Sequence, residues 1–132
     1  MKYILVFLLL FICAELFAPN RKQFYIIRAE AIDVYEQLIK AVVAIESNGN
    51  ILAYNPMEEA VGAFQIRQCK VDDFNKRTGK NYKLMDMFNF ETAREVFIYF
   101  ACLYPDYETI ARRWNGSGPM TETYWEKVKS KL

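Results

Sequence analysis

Apolar residues recur at spacings of three and four along residues 22–46, where Phe24, Ile27, Ala31, Val34, Leu38, Ala41 and Ile45 form one stripe. That is the signature of a helix with one buried face. Asn48-Gly49-Asn50 follows directly and predicts its end. A loop through Tyr54-Asn55-Pro56 comes next, then a segment over residues 58–76 that reads as mostly helical, then a turn at Thr78-Gly79-Lys80-Asn81. Residues 90–104 predict a third helix, with Ala93, Val96, Phe97, Phe100 and Ala101 on one face. Asn89 is placed to cap it and Pro105 to end it. A short helix over residues 106–114, the loop Asn115-Gly116-Ser117-Gly118-Pro119 and a last helix from Thr121 complete the pattern. No run alternates apolar and polar residues with period two, so the expected fold is all-α, with little or no sheet.

The start of the chain has a different pattern. Lys2 precedes an apolar run over residues 3–14, and Glu15-Leu16-Phe17-Ala18 leads to Pro19. A run of this length is short of the roughly twenty residues a spanning helix needs. Residues 1–18 therefore read as a secretory signal peptide cut near Ala14 or Ala18, with an uncleaved N-terminal membrane anchor as the alternative. Leu10-Phe11-Ile12-Cys13 resembles a lipidation site, although Ile12 stands where a small residue is expected. Either reading sends residues 19–132, taken as one domain, out of the cytoplasm. In an oxidising compartment Cys69 and Cys102 either pair or pack as small apolar residues.

Composition then removes whole classes of chemistry. The chain of 132 residues suits one domain, and its 53% apolar content suits a packed core. A net charge of +1 gives no footprint for nucleic acid. The protein is expected to be a monomer. Histidine is absent, which excludes Ser-His-Asp triads, Cys-His dyads and HExxH zinc sites, and leaves carboxylates as the leading acid-base groups. Cys13, Cys69 and Cys102 are too far apart for a CxxC motif, and the five glycines form no phosphate-binding loop. Nothing suggests a metal or a cofactor.

Glu46 is the carboxylate to weigh first, because it ends the apolar run Ala41-Val42-Val43-Ala44-Ile45 at the negative end of a helix. Burial and the helix dipole both disfavour a charged side chain there, which would raise its pKa as a general acid requires. On position alone, a helix-terminal glutamate pointing into solvent is the default reading.

Four short motifs change that default. Ala44-Ile45-Glu46-Ser47, then Gly62-Ala63-Phe64-Gln65-Ile66, then Arg113-Trp114-Asn115-Gly116, and finally Thr121 with Tyr124 resemble, in order, the ES, GxxQI, AYNG and TxxY signatures of lytic transglycosylases. These belong to glycoside hydrolase family 23, which also contains goose-type lysozymes. The resemblance covers most of the chain beyond residue 18 and implies a lysozyme-like fold acting on the peptidoglycan glycan strand. It implies that Glu46 protonates the glycosidic oxygen between N-acetylmuramic acid and N-acetylglucosamine, beside Ser47, which helps shape the site. In the second motif it implies that Gln65, followed by Ile66, lines the groove, and that Gly62 lets the backbone pass close. Asn115 would hydrogen-bond substrate, and Tyr124 would hold Glu46. The muramic 6-hydroxyl would then attack the anomeric carbon, leaving a 1,6-anhydro end and needing no second catalytic carboxylate.

The chain departs from the family pattern at Trp114, where tyrosine is usual; an indole still stacks on a sugar face. Glu58 and Glu59 read as solvated residues of a helix's first turn, the alternative being a base for water in a hydrolytic variant. Asp72, Asp73, Asp86 and Asp106 read as surface or capping residues, and Tyr99 as a candidate groove residue among aromatics that mostly suit a core. The function expected is lytic transglycosylase. A hydrolytic muramidase of the same fold and a catalytically silent wall-binding protein are the rivals.

Overall fold

A computed structural model describes residues 34–132. The proposed signal or anchor and the first part of the first predicted helix, with Phe24, Ile27 and Ala31, lie outside the described residues. No helix among the described residues is long and apolar enough to cross a membrane.

Helix α1 (Glu36–Ser47) stops where the sequence predicts. Asn48 adopts a left-handed conformation at φ 52°, and its N–H and that of Gly49 bond back to the Ala44 and Val43 carbonyls. A two-residue strand β1 (Tyr54–Asn55) then pairs antiparallel with β2 (Ala60–Val61), Tyr54 opposite Val61 and Asn55 opposite Ala60. Val61 pairs onward with Ile66 through two hydrogen bonds of 2.9 Å.

This hairpin corrects the reading of residues 58–76 as mostly helical. Glu59, Gly62 and Gln65 all have positive φ, at 50°, 77° and 49°, and no α-helix can contain them. Helix α2 (Gln68–Thr78) occupies only the second half of that span and ends on Gly79 in the left-handed region.

A 3-10 turn (Leu84–Phe88) leads into α3 (Phe90–Ala101), whose Asn89 cap accepts a hydrogen bond from the Thr92 N–H at 3.1 Å. The helix is shorter than predicted, because Leu103 and Tyr104 bond back to Phe100 and Ala101 as turns. Asp106 caps α4 (Tyr107–Asn115) through the Thr109 N–H, and Pro119 precedes α5 (Met120–Lys129). Asp86 likewise accepts from the Lys83 N–H, so the capping expectation holds at both aspartates.

The described part of the protein is thus mostly helical, with one small sheet. Residues 35–132 pack as one unit around α3, and all five residues predicted for its inner face are buried. Phe97 stacks on Phe64 at 5.1 Å and meets the Trp114 edge at 4.8 Å between ring centroids. Burying a side chain of this size contributes about 1.5–3 kcal/mol. Tyr99 is part of this packing: it sits edge-on to Phe74 at 5.2 Å and to Phe100 at 5.3 Å, which corrects its reading as a groove residue. Helices α4 and α5 pack on each other, and α5 also packs on α1. That last contact brings the end of the chain to Glu46. Cys69 and Cys102 are both exposed and free, so neither expected state, a disulfide or a buried position, is found.

Candidate active site

Glu46 lies in the last turn of α1, whose end is fixed by the left-handed Asn48, so the side chain is delivered at the rim of the core. Its Oε1 accepts a hydrogen bond of 2.7 Å from the Tyr124 hydroxyl on α5. Tyr124 is buried at 7% exposure, and burial, followed by the neighbouring Glu46 charge, pushes its phenol far above the ordinary range. It therefore stays protonated and remains the donor.

Burial is also the main cause of a raised pKa at Glu46. The Tyr124 bond opposes the rise, the Glu58 charge adds to it and Arg67 opposes it. Since burial wins, the carboxyl keeps its proton to higher pH than an ordinary glutamate.

Behind Glu46 the hairpin is fastened to the helix. The Ser47 hydroxyl donates to the Ala63 carbonyl at 2.9 Å and approaches the Val43 carbonyl at 3.2 Å. Gly62 has φ 77°, and a Cβ there would lie 2.1 Å from the Met87 carbonyl oxygen, so only glycine fits. Its N–H bonds to the Ala53 carbonyl at 2.8 Å. Gln65, left-handed itself, anchors its Nε2 on the Gly62 carbonyl at 2.9 Å and reaches that of Ala53 at 3.4 Å. Its Oε1 is the atom left to accept from a ligand.

One cleft of about 70 Å³ collects these groups: Glu46, Gln65, Ile66, Trp114 and Asn115 all border it. Of the residues the sequence singles out, these five meet around one space, and Tyr124 reaches it through Glu46. Ser47 and Gly62 stand behind the wall and hold its shape. Trp114 is buried at 9% exposure against Phe97, whereas Asn115, at the end of α4, is exposed. Thr121, of the fourth motif, is buried and donates to the Gly118 carbonyl at 2.8 Å, closing the loop that follows Asn115.

Glu58, for which a base for water was the alternative reading, borders the cleft from the hairpin tip and is not in a helix. Sequence reasoning missed three further lining residues. Arg67, Cys69 and Lys70, at the start of α2, also line it. Their one signal in the sequence was position, directly after the Gln65-Ile66 motif. Tyr54, in the Ala53-Tyr54-Asn55 stretch, is exposed on β1 and does not line this cleft.

A larger hollow of about 420 Å³ lies over the loop between α4 and α5, but Glu46 does not border it. Its Arg112 is already paired with Glu108 at 3.0 Å and Glu122 at 2.8 Å. The perturbed carboxyl, not the volume, therefore marks the smaller cleft as the candidate site. Among the described residues no group of cysteine, aspartate and glutamate side chains converges as a metal cage. A half-buried carboxylic acid, held by a permanent donor and facing a cleft with two carboxamides, is equipped to give a proton to a neutral polar ligand.

Comparison with models of protein families, with curated proteins and with solved structures returns no match for this chain.

Proposed function

We propose that the protein is a peptidoglycan lytic transglycosylase with a lysozyme-like fold, akin to glycoside hydrolase family 23. One observation carries this reading: the Glu46 carboxyl, raised in pKa by burial and bonded to Tyr124, borders the same cleft as Gln65 and Asn115. Four motifs spread over the sequence supply those residues, and a helix-terminal glutamate in open solvent would have none of these partners.

In the proposed reaction the β-1,4 glycan lies in the cleft with its scissile oxygen at Glu46. Glu46 gives its proton to the bond between N-acetylmuramic acid and N-acetylglucosamine as that bond breaks. Charge at the anomeric carbon is met by the substrate's acetamido group, and Glu46, now a carboxylate, accepts the proton of the muramic 6-hydroxyl as that oxygen attacks. The product is a 1,6-anhydromuramic end, no water is consumed, and the enzyme regains its proton. Gln65 and Asn115 would orient the sugar by hydrogen bonds, Ile66 and Trp114 would supply apolar wall, and Ser47 and Gly62 would hold the hairpin behind the acid. General acid-base help of this kind contributes about 10²- to 10⁴-fold in rate.

Hydrolysis of the same bond is the second reading, favoured by Glu58, which borders the cleft and whose charge acts on Glu46. A second carboxylate is what activating water requires. Digestion of bacterial wall followed by mass measurement of the fragments decides between them: anhydro ends support the transglycosylase, and reducing ends the hydrolase. Release of no fragment at any pH from mildly acidic to neutral would leave a silent wall-binding protein. The proposed place of action is the periplasm or cell envelope, with the glycan strand as partner.

A further inference from the structure

Lys70 stands where the cleft of Glu46 runs into a second hollow. Lys70 and Trp114 border both spaces, the first shared with Arg67 and the second with Arg113. The Lys70 Nζ lies 4.7 Å from the centroid of the Phe100 ring and 4.9 Å from that of Trp114. Attraction of an ammonium to two aromatic faces fixes it between the two hollows instead of leaving it to sweep through water.

The ammonium makes no close ion pair, although the Asp73 carboxylate acts on it at longer range. No carboxylate among the described residues forms an ion pair with it, and unlike lysines 76, 83, 127 and 131, which also have none, Lys70 is half-buried. Burial lowers its pKa from the ordinary lysine value, which reflects the cost of holding the charge there unpaired. An incoming anion would recover part of that cost. Glu58 on the same cleft disfavours a multiply charged group, so a single carboxylate suits the site better than a phosphate.

We propose that Lys70, flanked by Arg67 and Arg113, forms an anion subsite continuous with the cleft of Glu46, which takes a carboxylate carried by the glycan strand. The inference rests on the peptidoglycan reading for its substrate class. On such a strand the carboxylate has two sources: the lactyl group of muramic acid where it is unsubstituted, or the peptide attached to that group. The subsite would select muramic-acid-containing glycan over uncharged N-acetylglucosamine polymers and help fix which sugar lies beside Glu46.

The test is calorimetric binding in the Glu46→Gln background, where no ligand is consumed. Three saccharides of equal length are compared: an uncharged N-acetylglucosamine oligomer, one with free muramic lactyl groups, and one whose lactyl groups carry Ala-Glu dipeptides. At least one acidic ligand should bind about tenfold more tightly than the uncharged one, the gain expected of a charge-assisted contact. Which acidic ligand gains identifies the source. Lys70→Met, which keeps the apolar stem on its aromatic rings, should remove the preference, so that acidic and uncharged ligands bind alike; Lys70→Arg should retain it. A preference that survives Lys70→Met, or an absence of preference or of binding in the parent, overturns the subsite. If native protein releases no wall fragments yet Lys70→Met abolishes an acidic preference, the catalytic reading fails and the subsite stands. Wall cleavage with no such preference has the opposite meaning.

Discussion

The Tyr124 hydroxyl donates to Glu46 Oε1 at 2.7 Å across 78 residues of sequence, tying α5 to the last turn of α1. The carboxyl at the centre of the cleft is therefore positioned by a helix remote in the chain, and its protonation depends on that tie as well as on burial.

Replacing Glu46 with Gln removes the proposed proton donor and keeps the size of the side chain. Turnover of bacterial wall should fall by at least about 10²-fold while the fold persists. Fragment release alongside circular dichroism checks both halves, and comparable activity in the two proteins would withdraw Glu46 as the acid.

Stability should carry the same signature. A carboxyl whose pKa is raised on folding stabilises the protein fully below the ordinary carboxylate range, and that contribution is lost as pH rises through the folded value. Native protein should thus lose stability with rising pH across that window, and Glu46→Gln should lack the loss. Urea unfolding at a series of pH values measures it; parallel curves would show that Glu46 is not perturbed.

Tyr124→Phe removes a bond that lowers the Glu46 pKa. The activity of a general acid falls as pH rises through its pKa, so the descending limb of the pH profile should move to higher pH. Net stability should drop by about 1 kcal/mol. An unmoved limb would mean that the phenol does not tune the acid.

Gly62→Ala would force a Cβ to within 2.1 Å of the Met87 carbonyl at a φ of 77°. The left-handed penalty and the clash together should cost about 2–5 kcal/mol. Chemical denaturation measures this, and a loss below about 1 kcal/mol would mean that the hairpin relaxes cheaply.

Ser47→Ala breaks the 2.9 Å bond to the Ala63 carbonyl and should cost about 1 kcal/mol. Its larger effect is expected on activity, since the hairpin carrying Gln65 loses its fastening to the helix carrying Glu46. Equal activity in the two proteins would show that the strand pairing holds the hairpin unaided.

The helices were legible because their signals are local. Asn48 and Gly49 end α1, Asn89 caps α3, and the spacing of Val96, Phe97 and Phe100 defines the face that is buried. The hairpin was not legible. Its strands are two residues long, Ala60 and Val61 are both buried, and a pattern of two cannot display alternation. Only Gly62 among its three left-handed residues is a residue type that announces such a backbone; Glu59 and Gln65 are not, and Gln65 also bonds its own side chain to nearby carbonyls. The apolar residues at 60, 61, 63, 64 and 66 thus fell within a span read as mostly helical, although they fill the core from a folded-back loop. Within the cleft, the motif residues were legible as types in order, while Arg67 and Lys70 were not, because their place in the lining arises from where the start of α2 brings them.

The pairing of Glu46 with Tyr124 joins α1 to the last helix of the described protein. Until that helix docks, the carboxyl lacks the Tyr124 donor that fixes its position. The proposed acid is thus a late product of folding: its setting exists only once residues from opposite ends of the described chain have met.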